Sequence, residues 1–490
     1  MKRFDINKGS TSLKQATLIN AGSKYAVVIL SLVFSALLAR ILTPDDYGVL
    51  AIVTVFVNFF SLFYDMGIGP AVIQNKELTD EDTNRVFTFS LMLGLLLALV
   101  FSLFSIVLVW FYKNKVYYTV GPLLSVTLLL STFNMVPSAL LMKRKQFITS
   151  AIRTILTCVI GYAVAIVVAL RGGKYYAIVC QQIVSSAFSL VWNLKTVKLR
   201  VDFREIRASI NKIKRFSSFQ FAFNFVNYFS RNLDNLLCGY YFGEVQVGYY
   251  DKAYKLMRYP VNNLTNVITP VLQPILSDYQ NDTEYIFEKY KSIAKLLGVI
   301  AVFFSCLSFF ASREIILLYF GSQWEGSVLS FHYLALSLFF QMVGGVSGSI
   351  FQSVNRTKEM FISGLIGSGI TVAGILVGIT TGNINGLALA YSVSFILNFL
   401  KSQWFLAHFC FQKPFWELLS LFSHEVLIAA AISLALVFIP PFGSLWLSLL
   451  VKTGAAGLVY AVMLVVTKEY RVLTLILPGK VRKFLRMDTQ

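Results

Sequence analysis

The chain is a succession of apolar runs of about 20 residues separated by short polar or charged segments. A run of that length can carry a helix across a hydrocarbon core about 30 Å thick. Fourteen can be placed, at 15–39, 46–66, 87–111, 118–142, 152–170, 176–194, 214–241, 247–276, 292–311, 327–353, 359–380, 384–408, 417–439 and 444–466. The expected class is all-α, a polytopic membrane protein with both faces connected by short loops. The first run is too long for the apolar region of a cleavable signal, and a second run follows at once.

Four of the runs are not apolar all round. In the seventh, Gln220, Asn224, Asn227, Arg231 and Asp234 recur at offsets 0, 4, 7, 11 and 14. At about 100° per residue these form one stripe. The eighth has Asp251, Lys255, Arg258 and Asn262, and the second has Thr54, Asn58, Ser61 and Asp65. The tenth has Gln341, Gly345, Gly348, Gln352 and Asn355, and Lys24 stands alone in the first. A polar stripe in a lipid-bathed helix must face protein or water. Four together predict a hydrated cavity inside a bundle, although Arg231 and Asp234 can equally form a structural ion pair.

Composition agrees with the pattern. Of 490 residues 56% are hydrophobic and only 14% charged, with mean hydropathy +0.68. The net charge of +19 does not point to nucleic acid, because the basic residues sit in the segments between runs. With the N-terminus inside, 30 of the 43 Lys and Arg fall in inside segments or at the inside ends of the adjoining runs, and 6 in outside segments. That asymmetry predicts both termini in the cytoplasm. The five cysteines are odd in number and lack metal-ligand spacing, and the three histidines are scattered, so no metal site is expected. No catalytic constellation is expected either, and the outside loops are short.

Gly48 and Pro70 are 22 residues apart, as are Gly248 and Pro270, at an offset of 200. The spacing suggests repeated halves, a common plan for transporters. Runs seven and eight make an outside hairpin near Gly243, which puts Asp234 level with Lys252 and Arg231 level with Lys255. Arg231, Lys252, Lys255 and Arg258 then outnumber Asp234 and Asp251 by two. An unmatched cation in low dielectric attracts an anion, above all a phosphate. Lys252 lies off the main stripe, with the alternative of snorkelling outward.

The string "RNLDNLLCGYYFGEVQVGYYDKAYKLMRYP" resembles the central signature of Wzx-type polysaccharide flippases of the MOP exporter superfamily. "LLARILTPDDYGVLAIVTVFVNFFSLFYDMGIGPAVIQ" is similar to the opening helices of the same family, nearest to its colanic and teichuronic acid exporters. The resemblance implies two pseudo-symmetric lobes around a central cavity, working by alternating access in the bacterial inner membrane. The expected division is an N-terminal lobe at 1–195, a basic linker helix at 196–215, a C-terminal lobe at 216–410, two extra helices at 411–467 and a basic tail at 468–490. The implied cargo is an undecaprenyl-diphosphate-linked oligosaccharide. Arg231, Lys255, Arg258, Lys252 and Lys24 are the expected cavity cations. Gln220, Asn224, Asn227, Asn262, Asn58, Gln341 and Gln352 supply amides for sugars.

Membrane lipids and polysaccharide polymerase machinery are the expected partners, of a monomer that needs no cofactor. Coupling to protons or sodium stays open, with Asp234, Asp251 and Asp65 the acids placed for it. A flippase for the peptidoglycan lipid precursor is the near alternative. A multidrug exporter of the same superfamily is disfavoured by the cationic surplus.

Overall fold

The computed structural model describes residues 13–64, 68–75, 78–210, 228, 232–265, 272, 276, 279, 280, 282–440 and 442–473. Every regular element among them is helical. The chain forms two compact units, Met1–Val245 and Gln246–Gln490.

The first unit contains α1 (Leu13–Ile41), α2 (Pro44–Tyr64), α3 (Ile68–Gln74), α4 (Asp80–Tyr112), α5 (Tyr117–Lys143), α6 (Phe147–Leu170), α7 (Tyr176–Thr196) and α8 (232–242). Local sequence sets several starts. Before α4, Thr79 accepts from the backbone of Asp82, and Asp82 accepts in return from the backbone of Thr79. Thr43 and Asp46 repeat that reciprocal cap at the start of α2. Helix α5 packs on α4, α7, α3 and α2, and α6 packs on α7 and α1. Val72, Val86, Val136, Leu140 and Val197 form the buried core at one end.

Two features differ from the sequence expectation. The basic segment expected as a helix runs as extended and turn chain over 197–205 and is helical over 206–210, while 211–215 lie outside the described residues. Side chains of α4 capture it. The Asp202 N–H donates to Thr88 at 2.8 Å and that of Arg200 to Asn84 at 3.0 Å. Arg85 of α4 meets Asp202 at 3.1 Å, and Ser209 donates to Asp82 at 2.7 Å. These partners replace the intrahelical bonds of a helix. The compact units also divide at 245/246, not within this segment.

Residues 232–245 belong to the first unit because they are bonded into it. Glu244 accepts from the Asn114 amide at 2.8 and 2.7 Å and from the Tyr117 hydroxyl at 2.6 Å. Gly48 of α2 lies against the backbone of Glu244 so closely that a Cβ there would stand 1.8 Å from the Glu244 carbonyl oxygen. That contact is the reason for glycine at 48.

The second unit contains α9 (Glu244–Met257), whose first two residues belong to the first unit, and a π-helical turn at Val261–Thr265. Then come α10 (Thr283–Phe310), α11 (Ser312–Phe320), a 3₁₀ turn (Ser322–Ser327), α12 (Val328–Ala335), α13 (Leu338–Gly344) and α14 (Ser347–Ser353). It ends with α15 (Thr357–Thr380), α16 (Ile384–Phe405), a π-helical turn (Leu406–Phe411), α17 (Phe415–Ser420), α18 (Ser423–Val437), α19 (Leu445–Val466) and α20 (Tyr470–Leu473). Helix α10 is central, packing on α12, α13, α18 and α19.

The last helices are fastened to α10 and α11 by buried charge. Lys295 of α10 binds Glu425 at 3.1 Å and Glu469 at 2.7 Å, and His424 Nδ1 lies 2.7 Å from Glu469. Lys452 of α19 binds Glu314 of α11 at 2.6 Å, and Ser448 donates to the same carboxylate.

Among the described residues ten helices are long and apolar enough to span a membrane, and an eleventh span counts if the pair bent by 51° near Leu336 is one. This is a multi-pass membrane protein. Of the fourteen expected runs, the tenth is the bent pair and the thirteenth is the shorter Ser423–Val437. The seventh and eighth lie partly outside the described residues.

Candidate functional site

The eighth run is a distorted helix, and its distortion has a local cause. Pro260 follows α9 and has no N–H to give the preceding turn. The chain continues as the π turn, where Asn263 donates to the Tyr259 carbonyl at 2.9 Å. Thr265 closes the turn onto the Met342 carbonyl of α13 at 3.1 Å. A Cβ on Gly345 would stand 2.5 Å from the Thr265 methyl, so Gly345 serves the close approach of these two irregular segments. π turns and broken helices collect at functional sites in membrane transporters.

The charges of α9 have three different fates. Asp251 is buried and receives the Lys255 ammonium at 2.7 Å, while the Lys255 side chain is 62% exposed. Lys252 is buried, with its ammonium 5.1 Å from the Phe320 ring centre and 5.7 Å from that of Trp324. It neither snorkels nor stands open, because aromatic faces of α11 and the 3₁₀ turn enclose it. Arg258 lies over the Tyr254 ring at 5.5 Å and gives that hydroxyl one long hydrogen bond of 3.5 Å. Its Nε is enclosed without a hydrogen-bond partner, and no carboxylate pairs with it among the described residues.

Aromatic and amide groups surround this end of α9. Tyr250 and Tyr254 are stacked, and the Tyr254 and Tyr391 hydroxyls are 3.4 Å apart. Gln341 gives its amide to Ser337 at 2.9 Å and reaches Met257, the residue before Arg258, at 3.6 Å. Arg258 and Tyr254 are therefore brought together, with Asn262 exposed on the next turn. Gln352 is exposed beyond them on α14. Such a set can hold an anion by its guanidinium and hydroxyl groups by its amides.

The remaining expected residues are spread more widely. Lys24 and Asn58 are exposed on α1 and α2. Asp234 is fully buried in α8. Arg231, Gln220, Asn224, Asn227 and Asp65 lie outside the described residues.

A polar seam in the first unit escaped the sequence reading. Arg153 of α6 donates to the Asn193 carbonyl oxygen at 2.9 Å, Asn193 to Asn134 at 2.7 Å, and Asn134 to Ser189 at 3.0 Å. Its signal was present as Ser131, Asn134 and Ser138 at offsets 0, 3 and 7 on one helix. Arg153 sits at the inside edge of the fifth run, where a basic residue counts toward orientation, and it stands in the second turn of α6.

The sequence model of a family described as polysaccharide biosynthesis protein matches residues 37–329, more than half of the chain. The chain belongs to this family. Its relatives include the teichuronic acid biosynthesis protein TuaB of Bacillus subtilis (strain 168), 24% identical over 79% of this chain and 80% of that one. The lipopolysaccharide biosynthesis protein WzxC of Escherichia coli (strain K12) is 25% identical over 82% of each chain. The succinoglycan biosynthesis transport protein ExoT of Rhizobium meliloti (strain 1021) is 21% identical over 94% of each.

Among solved structures, the fold is shared with the lipid II flippase MurJ in an inward closed conformation, at TM-score 0.70 and 16% identity, over 93% of this chain and 99% of that one. An inward-facing MATE multidrug transporter of the MOP superfamily matches at TM-score 0.57 and 17% identity, over 77% of this chain and 95% of that one. The expected superfamily fold is thus borne out, and the folds that this member of the polysaccharide biosynthesis family shares are those of membrane transporters.

Proposed function

We propose that the protein is a flippase that moves a lipid-diphosphate-linked oligosaccharide from the inner to the outer leaflet of the bacterial cytoplasmic membrane. Both termini are cytoplasmic in this reading, and the cargo serves synthesis of a surface polysaccharide. The names of the relatives support the cargo class, and the transporter fold supports translocation without bond breaking.

The observation that carries the reading is Arg258. A guanidinium with an enclosed, unpartnered Nε and no carboxylate among the described residues is costly in a membrane protein. A diphosphate supplies what it lacks, through charge-assisted and bidentate hydrogen bonds. Tyr254 beside it offers a hydroxyl to the first sugar. The neighbouring Asp251 does not neutralise it, because Lys255 already occupies that carboxylate.

The test is reconstitution into liposomes with lipid-linked oligosaccharide, scoring leaflet and mass. Cargo should change leaflet with its mass unchanged. Arg258→Ala should flip at least tenfold more slowly, while Arg258→Lys retains part of the rate, keeping charge but losing the planar fork. Normal flipping by Arg258→Ala would remove the basis of the reading. Running peptidoglycan precursor beside a surface-polysaccharide precursor separates the two cargo classes.

A further inference from the structure

The first unit contains an open pocket of about 520 Å³ between α5, α6 and α7, with Tyr64 of α2 and Gly69 and Ile73 of α3 at its margin. Among the described residues no charged side chain lines it. Its polar wall includes Ser131, Asn134 and Ser138 from α5, Thr157 from α6, and Ser185 and Ser189 from α7. Tyr64 lines it as well. The volume falls within the range of small-molecule sites.

The wall is ordered by a directed chain of hydrogen bonds. Arg153 has only donors, so it fixes the Asn193 carbonyl oxygen toward itself at 2.9 Å. The Asn193 amide must then face Asn134, and the Asn134 amide must face Ser189. Each group in the chain hands on a donor. Ser189 stands last, accepting from Asn134, and its own proton has no acceptor among the described residues. That proton is offered to the cavity. The Thr157 hydroxyl oxygen is enclosed with no partner, out of reach of a ligand in the pocket. A buried polar group left so costs free energy unless a ligand or water completes it.

The chemistry selects the ligand class. With no charged side chain among the described lining residues, these walls have nothing to neutralise an anion or a cation. Hydroxyls that both donate and accept suit a ligand built the same way, and an aromatic ring suits the C–H face of a pyranose. We propose that this cavity is a saccharide subsite for a neutral, hydroxyl-rich sugar of the cargo. The proposal rests on the flippase reading for its source of ligand. Arg153 acts through Asn193 and Asn134, so it is a positioning residue.

The test uses the full-length protein in nanodiscs with four probes: methyl glucoside, methyl N-acetylglucosaminide, methyl glucuronide and undecaprenyl diphosphate. Saturation-transfer NMR titration reads the glycosides, and a lipid-binding assay reads the diphosphate. Neutral glycosides should bind saturably, with dissociation constants on the order of millimolar. Ser189→Ala should weaken them about three- to tenfold, while the near-isosteric Thr157→Val, which removes only an enclosed hydroxyl, should not. Neither should change diphosphate binding. The absence of saturable glycoside binding, the same affinity in both variants, or a more than tenfold preference for the glucuronide would each overturn the proposal. Loss or retention of diphosphate binding in Arg258→Ala bears on the flippase reading alone.

Discussion

Replacing Gly48 with alanine should destabilise the first unit, and the structure sets the scale. The new methyl would stand 1.8 Å from the Glu244 carbonyl oxygen and 2.5 Å from the carbonyl carbon. Comfortable contact needs about 3.5 Å, so backbone must separate by more than 1 Å, as an order of magnitude. The obstacle is backbone, not a flexible side-chain end, so rotation cannot relieve it. Glu244 cannot move that far and keep its hydrogen bonds of 2.6 to 2.8 Å to Tyr117 and Asn114. Hydrogen bonds to a charged group contribute about 1.5–3 kcal/mol each, so losing two costs roughly 3 kcal/mol or more. For a unit of this size that is a fall in Tm of about 6–12 °C. Thermal unfolding in detergent, followed by thiol-reactive fluorescence at the five cysteines, measures it. The control is Gly457→Ala in α19, where a Cβ meets nothing within 4 Å. It should match or exceed wild type, since alanine favours a helix over glycine by about 1 kcal/mol. Equal melting of the two variants would refute the reasoning.

Three further outcomes follow from other contacts. Lys295→Met strands Glu425 and Glu469 and should cost about 3–5 kcal/mol, read as a lower Tm that Lys295→Met combined with Glu425→Gln partly restores. Burial raises the Glu314 carboxyl, but hydrogen bonds from Lys452 and Ser448 outweigh it, and the net shift is downward. Its folded value is thus below its unfolded one, so its contribution is present above the ordinary glutamate range and is lost as pH falls through the folded value. Melting of wild type from pH 7 down to pH 3 should show this loss, and Glu314→Gln should show a flatter profile. Single cysteines at Lys143 or Lys198 should be shielded from an impermeant thiol reagent in intact cells, and strong labelling of both would reverse the orientation.

The spans were legible because hydropathy over about 20 residues needs no knowledge of partners. Six of the first seven helices in the first unit coincide with runs read from the sequence. Interruptions were less legible. The bend near Leu336 falls inside an apolar run, and nothing in its mean hydropathy marks it. The segment at 197–205 has helical charge spacing, but its N–H groups are taken by Asn84 and Thr88, more than a hundred residues away. Lys252 read as a cavity cation because its aromatic neighbours Phe320 and Trp324 lie some 70 residues on. The surplus of cations over acids on runs seven and eight was legible, but not which cation it leaves over; among the described residues Lys255 takes Asp251 and no carboxylate pairs with Arg258. The serine seam of the first unit was not, since serine is common in membrane helices and usually bonds its own carbonyls, as Ser90 and Ser105 do here.

The charges that fasten the last helices also set an order of assembly. Lys295 enters the bilayer with α10, but Glu425 and Glu469 are made 130 and 174 residues later. Glu314 likewise waits for Lys452, 138 residues on. Until α18 to α20 emerge from the ribosome, the second unit holds an uncompensated cation in α10 and an uncompensated anion in α11. The late helices are in the same position, since Glu425 and Lys452 would each enter lipid unpaired without their earlier partners. The two parts can leave that state only together. A chain halted before residue 425 would therefore carry polar lesions midway along α10 and in α11, the kind of defect that marks an unfinished membrane protein for removal.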